Sequence, residues 1–182
     1  MTLVTCVAIV IAVGAVLVLM GARKIKARQE TARAALALLE AELEHRREVI
    51  PELVRAAVAA DLDRASINQL VGARSWSSVV RENDFDLPRR ASAENTLSAA
   101  LYEVIWSAPG ATWEFRRPAD ELDTIEQRIV GAVRVYNTHA DALVRLSRSP
   151  LTALSARLAG VEAPDLFVDS VALDAVRTRV PA

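Results

Sequence analysis

The chain has 182 residues, with 22 basic and 23 acidic side chains and a net charge of −1. That near balance argues against a nucleic-acid-binding surface, which needs concentrated positive charge. A single cysteine leaves no intramolecular disulfide, and only six glycines and seven prolines beside abundant Ala, Leu, Glu and Arg predict an all-α chain of long helices.

Residues 3–20 read LVTCVAIVIAVGAVLVLM and carry no charge. At 1.5 Å per residue the run spans about 27 Å, and Gly21 and Ala22 extend it to about 30 Å, the thickness of a hydrocarbon core. The roughly 160 residues that follow are too few to enclose a helix that is apolar all round. A secretory signal places its cations before the apolar run and a small-x-small site after it. Here Arg23, Lys24, Lys26 and Arg28 come after, and Val18, Leu19 and Met20 make a poor cleavage site. The expectation is an uncleaved transmembrane anchor over 1–22, a helical bundle over 23–168 and a tail over 169–182. Lys and Arg beside a span stay cytoplasmic. The short N-terminus is therefore expected outside and the C-terminal domain in the cytoplasm, in a single-pass cell-membrane protein. The four flanking cations also suit anionic headgroups, although fixing topology suffices to explain them. Cys6 reads as a small membrane-facing residue, because no charged and apolar region precedes it as a lipoprotein signal would require.

The helical pattern continues from Arg23 to about Asp61 without Gly or Pro between it and the span. Leu36, Leu39, Leu43, Ile50, Val54 and Ala57 recur at steps of three and four or their sums, which predicts one packed face. Pro51 predicts a kink or a new helix start. Arg46 and Arg47 fall on this seam between Leu43 and Ile50. They can snorkel at the bundle rim or pair with a carboxylate from another helix.

A second helix is expected over 62–80, with Ile67, Leu70 and Val71 inward. The polar stretch 81–90, with Pro88, reads as a loop. A third helix is expected from Ser92 or Ala93 to Ser107, capped by Ser92 or Asn95 and stopped by Ala108, Pro109 and Gly110. Trp113, Phe115, Arg116 and Arg117 read as a connection, and Pro118 as the first turn of a fourth helix. Its stripe is Leu122, Ile125, Ile129, Ala132, Tyr136, Ala140 and Leu143, a bundle core by spacing. Pro150 should end it. A short amphipathic helix over 151–159 closes at Gly160, and Phe167 should dock on the bundle.

Nothing in the sequence assembles a reaction. His45 and His139 stand apart, and Glu42, Glu44 and Glu48 beside His45 read as a solvated face rather than a metal site. No nucleophile signature flanks a histidine, and no glycine-rich phosphate loop occurs. Trp76, Trp106 and Trp113 are expected to pack, with a partner or headgroup surface as the other reading. No catalytic residue, cofactor, metal or small-molecule substrate is assigned.

The run His45, Arg46, Arg47, Glu48, Val49, Ile50, Pro51, Glu52, Leu53, Val54 resembles the Arg-Arg-x-x-Leu-Ile-Pro-x-Leu-Val signature of the LemA family. Glu126, Gln127, Arg128 and Ile129, followed by Arg134, Val135, Tyr136 and Asn137, resemble its Glu-Asn-x-Ile…Arg-x-x-Tyr-Asn signature. The ending from Pro150 through Gly160 to Phe167 is similar to the family's C-terminal segment. Gln127 stands where Asn is usual and Val135 where an aromatic is usual. The resemblance implies an antiparallel bundle of long helices, four-helix-like, behind one N-terminal membrane helix, and no established activity. Together with the seam it predicts that Arg46 or Arg47 pairs with Glu126 across the bundle, with Tyr136 and Asn137 supplying nearby hydrogen bonds. The expected function is a non-enzymatic scaffold or regulatory adaptor for a membrane partner. A self-assembling structural envelope component is the alternative, and an enzyme with an unrecognised site the third reading. The partners expected are the lipid bilayer and a membrane protein or a second copy of the chain.

Overall fold

The computed structural model describes residues 2–108, 112–148, 155–157, 160–161 and 163–168, except the side chains of 2–4, 6–8, 10 and 11. The expectations placed on the tail 169–182, on Pro109, Gly110 and Pro150, on most of 151–159 and on the Cys6 side chain lie outside the described residues. Four long helices carry the chain: α1 (Thr2–Ala59), α2 (Arg64–Glu82), α3 (Leu87–Trp106) and α4 (Trp113–Arg148). The fold class is all-α, as the composition implies.

The 58 residues of α1 run unbroken through Pro51, so of the expected kink or new helix start the second does not occur. Proline leaves one carbonyl, that of Arg47 four residues back, without its helical donor. The Nε of Arg74 on α2 donates to that Arg47 carbonyl at 3.2 Å, so the gap is filled from a neighbouring helix. Helix α2 starts two residues later than the periodicity suggests, because Asp63 caps it: its carboxylate accepts from the Ser66 N–H at 2.8 Å. Val71 is exposed rather than inward, and the buried line runs Ile67, Leu70, Ala73, Ser77, Val80.

Helix α3 begins at Leu87, five residues ahead of the expected start. Asp86, not Ser92 or Asn95, is its cap, and Pro88 sits in its first turn, where a missing N–H costs nothing. The loop expected over 81–90 therefore shrinks to 83–86. Helix α4 likewise starts early, at Trp113. Phe115 and Arg116 already hydrogen-bond to the Thr112 carbonyl, and Pro118 lies inside the helix rather than in its first turn. Past α4, residues 155–157 form a helical turn, and Gly160 follows at φ 62°, the left-handed conformation that lets glycine close a helix.

Cross-helix contacts fix an up-down-up-down bundle. Arg81 pairs with Glu44 and Arg74 with the Arg47 backbone, so α2 runs against α1. Arg90 pairs with Glu40 and Glu94 with Arg46, so α3 runs with α1. Arg117 pairs with Glu52 and Glu126 with Arg46, so α4 runs against it. The core centres on Leu39, Ile50, Leu53, Leu70, Leu97, Leu101 and Leu122, each without exposed surface. Leu36 and Val54, expected on the seam, only flank it.

Toward the N-terminus α1 and α4 outrun the bundle and form a stalk. Ile25, Ala32, Leu143 and Ala156 bury one another there, apart from the main core. Gly21 permits the close approach of the 155–157 turn: a Cβ on it would lie 2.7 Å from the Ser155 hydroxyl oxygen. Beyond the stalk, Ile9, Val13, Val16, Leu17, Leu19 and Met20 are 53–64% exposed. Among the described residues no helix is long and apolar enough to cross a membrane. The side chains of Leu3, Val4, Cys6, Val7, Ala8, Val10 and Ile11, seven of the 18 in the apolar stretch, lie outside that set.

Candidate functional site

The polar heart of the bundle forms where the α1 seam carries Arg46 and Arg47 in place of apolar residues. Arg46 has no exposed surface. Its Nη1 donates to Glu126 Oε1 on α4 at 2.6 Å and to Ser98 Oγ on α3 at 2.5 Å, and its Nη2 pairs with Glu94 Oε2 on α3. Ser98 Oγ donates onward to Glu126 Oε2 at 3.0 Å. Ser77 Oγ on α2 donates to Glu94 Oε1 at 2.7 Å, and Arg47 Nη1 lies 3.7 Å from that same oxygen. Arg47 Nη2 donates to Glu44 at 2.9 Å toward the surface. All four helices thus meet at two arginines and two buried glutamates, whose charges cancel.

Burial works against the charge of Arg46. Glu126, and after it Glu94, more than restore that charge, so the guanidinium pKa stands above its ordinary value. Arg47 is the reverse case. Burial dominates, Glu94 offsets part of it, and Arg46 and Arg90 add repulsion, so its pKa is lowered. The network is therefore centred on Arg46. The Nε atoms of both arginines make no hydrogen bond, so only their Nη groups are used.

The expected pairing of a seam arginine with Glu126 is present, and Arg46 makes it. The expected help from Tyr136 and Asn137 is not. They lie about 15 Å further along α4 than Glu126, ten residues at helical rise. They bind the C-terminal segment instead. Tyr136 Oη donates to the Asp165 carbonyl at 2.7 Å, Asn137 Nδ2 to the Phe167 carbonyl at 2.8 Å, and the Phe167 N–H to Asn137 Oδ1 at 2.9 Å. Asn95 on α3 holds the Val168 carbonyl at 2.8 Å, and Phe167 is buried. Burial, and secondarily Asp165, raise the Tyr136 pKa. Ile50 and Leu53 are core, Pro51 and Val54 half-buried, and Arg134 exposed.

Glu94 escaped the sequence reading, as did Ser77 and Ser98. The signal was available: Glu94 stands on the same helical stripe as Leu97, Leu101 and Val104, a carboxylate on an apolar face.

Two spaces adjoin the network among the described residues. The cavity beside Arg47, Ser77, Arg90 and Glu94 measures ≈ 10 Å³, the space of about one water. A wider groove of ≈ 450 Å³ between α1 and α2 is open to solvent and lined by three arginines and three glutamates, of which Arg47 and Arg81 both pair with Glu44. Among the described residues no group of three or more His, Cys, Asp or Glu could hold a metal ion. Trp76, Trp106 and Trp113 are 53%, 78% and 67% exposed, against the expectation that they pack. Trp106 and Trp113 flank the turn at the end of the bundle farthest from the N-terminus.

No protein-family model matches the chain. A search of curated proteins also finds no match.

Proposed function

We propose that the chain is a single-pass membrane protein, LemA-like in architecture, that holds a non-enzymatic helical bundle in the cytoplasm as a scaffold or adaptor for a membrane partner. The observation that carries this reading is the start of α1. Val13, Val16, Leu17, Leu19 and Met20 are exposed and, among the described residues, are covered by no other helix, yet they continue without a break into the rod that forms the core. An apolar helix surface of that extent needs a bilayer or a partner to cover it. The buried charge network supports a structural role, since each buried charge is neutralised inside the bundle and the cavity that touches Arg47 and Glu94 has the space of about one water.

The test is alkaline carbonate extraction of full-length protein, followed by protease protection from each side of the membrane. The reading expects the chain in the pellet, with the bundle cut only from the cytoplasmic side. Release into the supernatant sinks the anchor, and cleavage from outside sinks the orientation. Crosslinking across a concentration series separates the adaptor from the self-assembling alternative. A single heterotypic band fits the first, and a homotypic ladder the second.

A further inference from the structure

The stalk gathers charge that the sequence leaves scattered. Residues 21–28 of α1 contribute Arg23, Lys24, Lys26 and Arg28, all exposed. The antiparallel pairs Glu52–Arg117 and Arg46–Glu126 place the last turns of α4 at the level of residues 22–25 of α1, so exposed Arg145 and Arg148 join them. The contact of Ser155 with Gly21, and of Ala156 with the Ile25 cluster, brings exposed Arg157 to the same level. Residues 21–28, 141–148 and 155–157 therefore hold seven of the 22 cations and one of the 23 acids. Their charge is +6, against −7 for the rest of the chain. Glu162, outside the described residues, would leave the collar at +5. Its one acid, Asp141, pairs with Arg145. Glu30, the next acid up α1, pairs with Arg33 at 3.4 Å.

We propose that this three-segment collar binds the anionic leaflet of the membrane that holds the start of α1. Four of its cations follow the apolar stretch directly and are explained by topology alone. Arg145, Arg148 and Arg157 are not, because they arrive from more than 100 residues away. The four α1 cations lie within about 10 Å of Gly21 by helical rise, close to the screening length of about 8 Å at physiological salt. On α1 the first acid beyond the collar, Glu30, stands about 14 Å from Gly21 by helical rise, outside that range, so it does not cancel attraction at the stalk. The inference rests on the anchor reading above.

The test reconstitutes full-length protein into vesicles of phosphatidylcholine and into equimolar phosphatidylcholine and phosphatidylglycerol. Spin-labelled lipids report which headgroup occupies the protein boundary. The wild type should select phosphatidylglycerol, with the preference falling as salt rises. R145Q/R148Q/R157Q should reduce that selectivity at least about fivefold, since one cation at an anionic surface contributes on the order of 1 kcal/mol. R145K/R148K/R157K should keep it, and both variants should melt as the wild type does. Unchanged selectivity in the Gln variant with unchanged melting would overturn the collar. Failure of the wild type to float with pure phosphatidylcholine vesicles would instead overturn the anchor reading, and the collar with it.

Discussion

Arg46 is a cation held where leucine would otherwise sit, and its stability contribution is conditional. The two carboxylates that neutralise it come from different helices, so losing any one of the three groups leaves an unpaired buried charge. Arg46→Ala or Glu126→Ala should each cost about 3–5 kcal/mol, read as a drop in urea midpoint. Arg46→Met made together with Glu126→Leu should recover much of that loss, because it removes one charge of each sign and leaves Glu94 with Arg47. If the single variants melt like the wild type, the network does not hold the bundle. Tyr136 gives a second test at this scale. Tyr136→Phe should cost about 1 kcal/mol at neutral pH through the lost bond to Asp165. Burial raises the folded pKa of this phenol, so its contribution is full below the unfolded value of about 10 and is lost as pH rises through the folded value. The gap between wild type and variant should therefore close in alkaline melts. A gap constant up to pH 11 would contradict a raised Tyr136 pKa. The arginine pairing was legible because two adjacent cations interrupted an otherwise apolar seam. Its second acceptor, Glu94, lies inside the expected third helix on the line of Leu97, Leu101 and Val104, and only the position of Arg46 on a neighbouring helix shows that this carboxylate is buried.

Helix ends were harder to read than helix faces. Apolar periodicity located the four cores, since burial imposes the 3.6-residue repeat whatever the local chemistry. Boundaries depend on single caps, and Asp63 and Asp86 each outcompeted more obvious breakers nearby. Pro51 shows the limit most directly: its rule predicts a broken helix, while a side chain from another helix supplies the missing donor. That compensation is testable by a double-mutant cycle. Arg74→Ala should cost about 1 kcal/mol in the wild type, where Arg74 is the donor to the Arg47 carbonyl. In a Pro51→Ala background, where the backbone N–H is restored, the same change should cost close to nothing. Equal costs in both backgrounds would show that Arg74 acts through its charge or packing and not as the proline's substitute donor.

At the scale of the whole molecule, one continuous helix would make the distance between the proposed membrane anchor and the bundle tip a fixed length. From Gly21 to Ala59 the 38 helical steps of α1 rise about 57 Å. Trp106 and Trp113 lie at that far end, and Trp76, beside the level of Arg47, stands about 39 Å up by the same measure. The charge distribution favours the upright arrangement, because a +6 stalk is drawn to an anionic leaflet that repels the −7 remainder. In phosphatidylglycerol-containing vesicles, brominated lipids should therefore leave the fluorescence of all three tryptophans unquenched, while acrylamide in the aqueous phase quenches them strongly, as their exposure requires. Bromolipid quenching that appears only at high salt would mean that electrostatics keep the bundle upright. Quenching at every salt concentration would mean that the bundle lies on the membrane. In that case the exposed tryptophans meet lipid rather than the aqueous phase, and the upright arrangement fails.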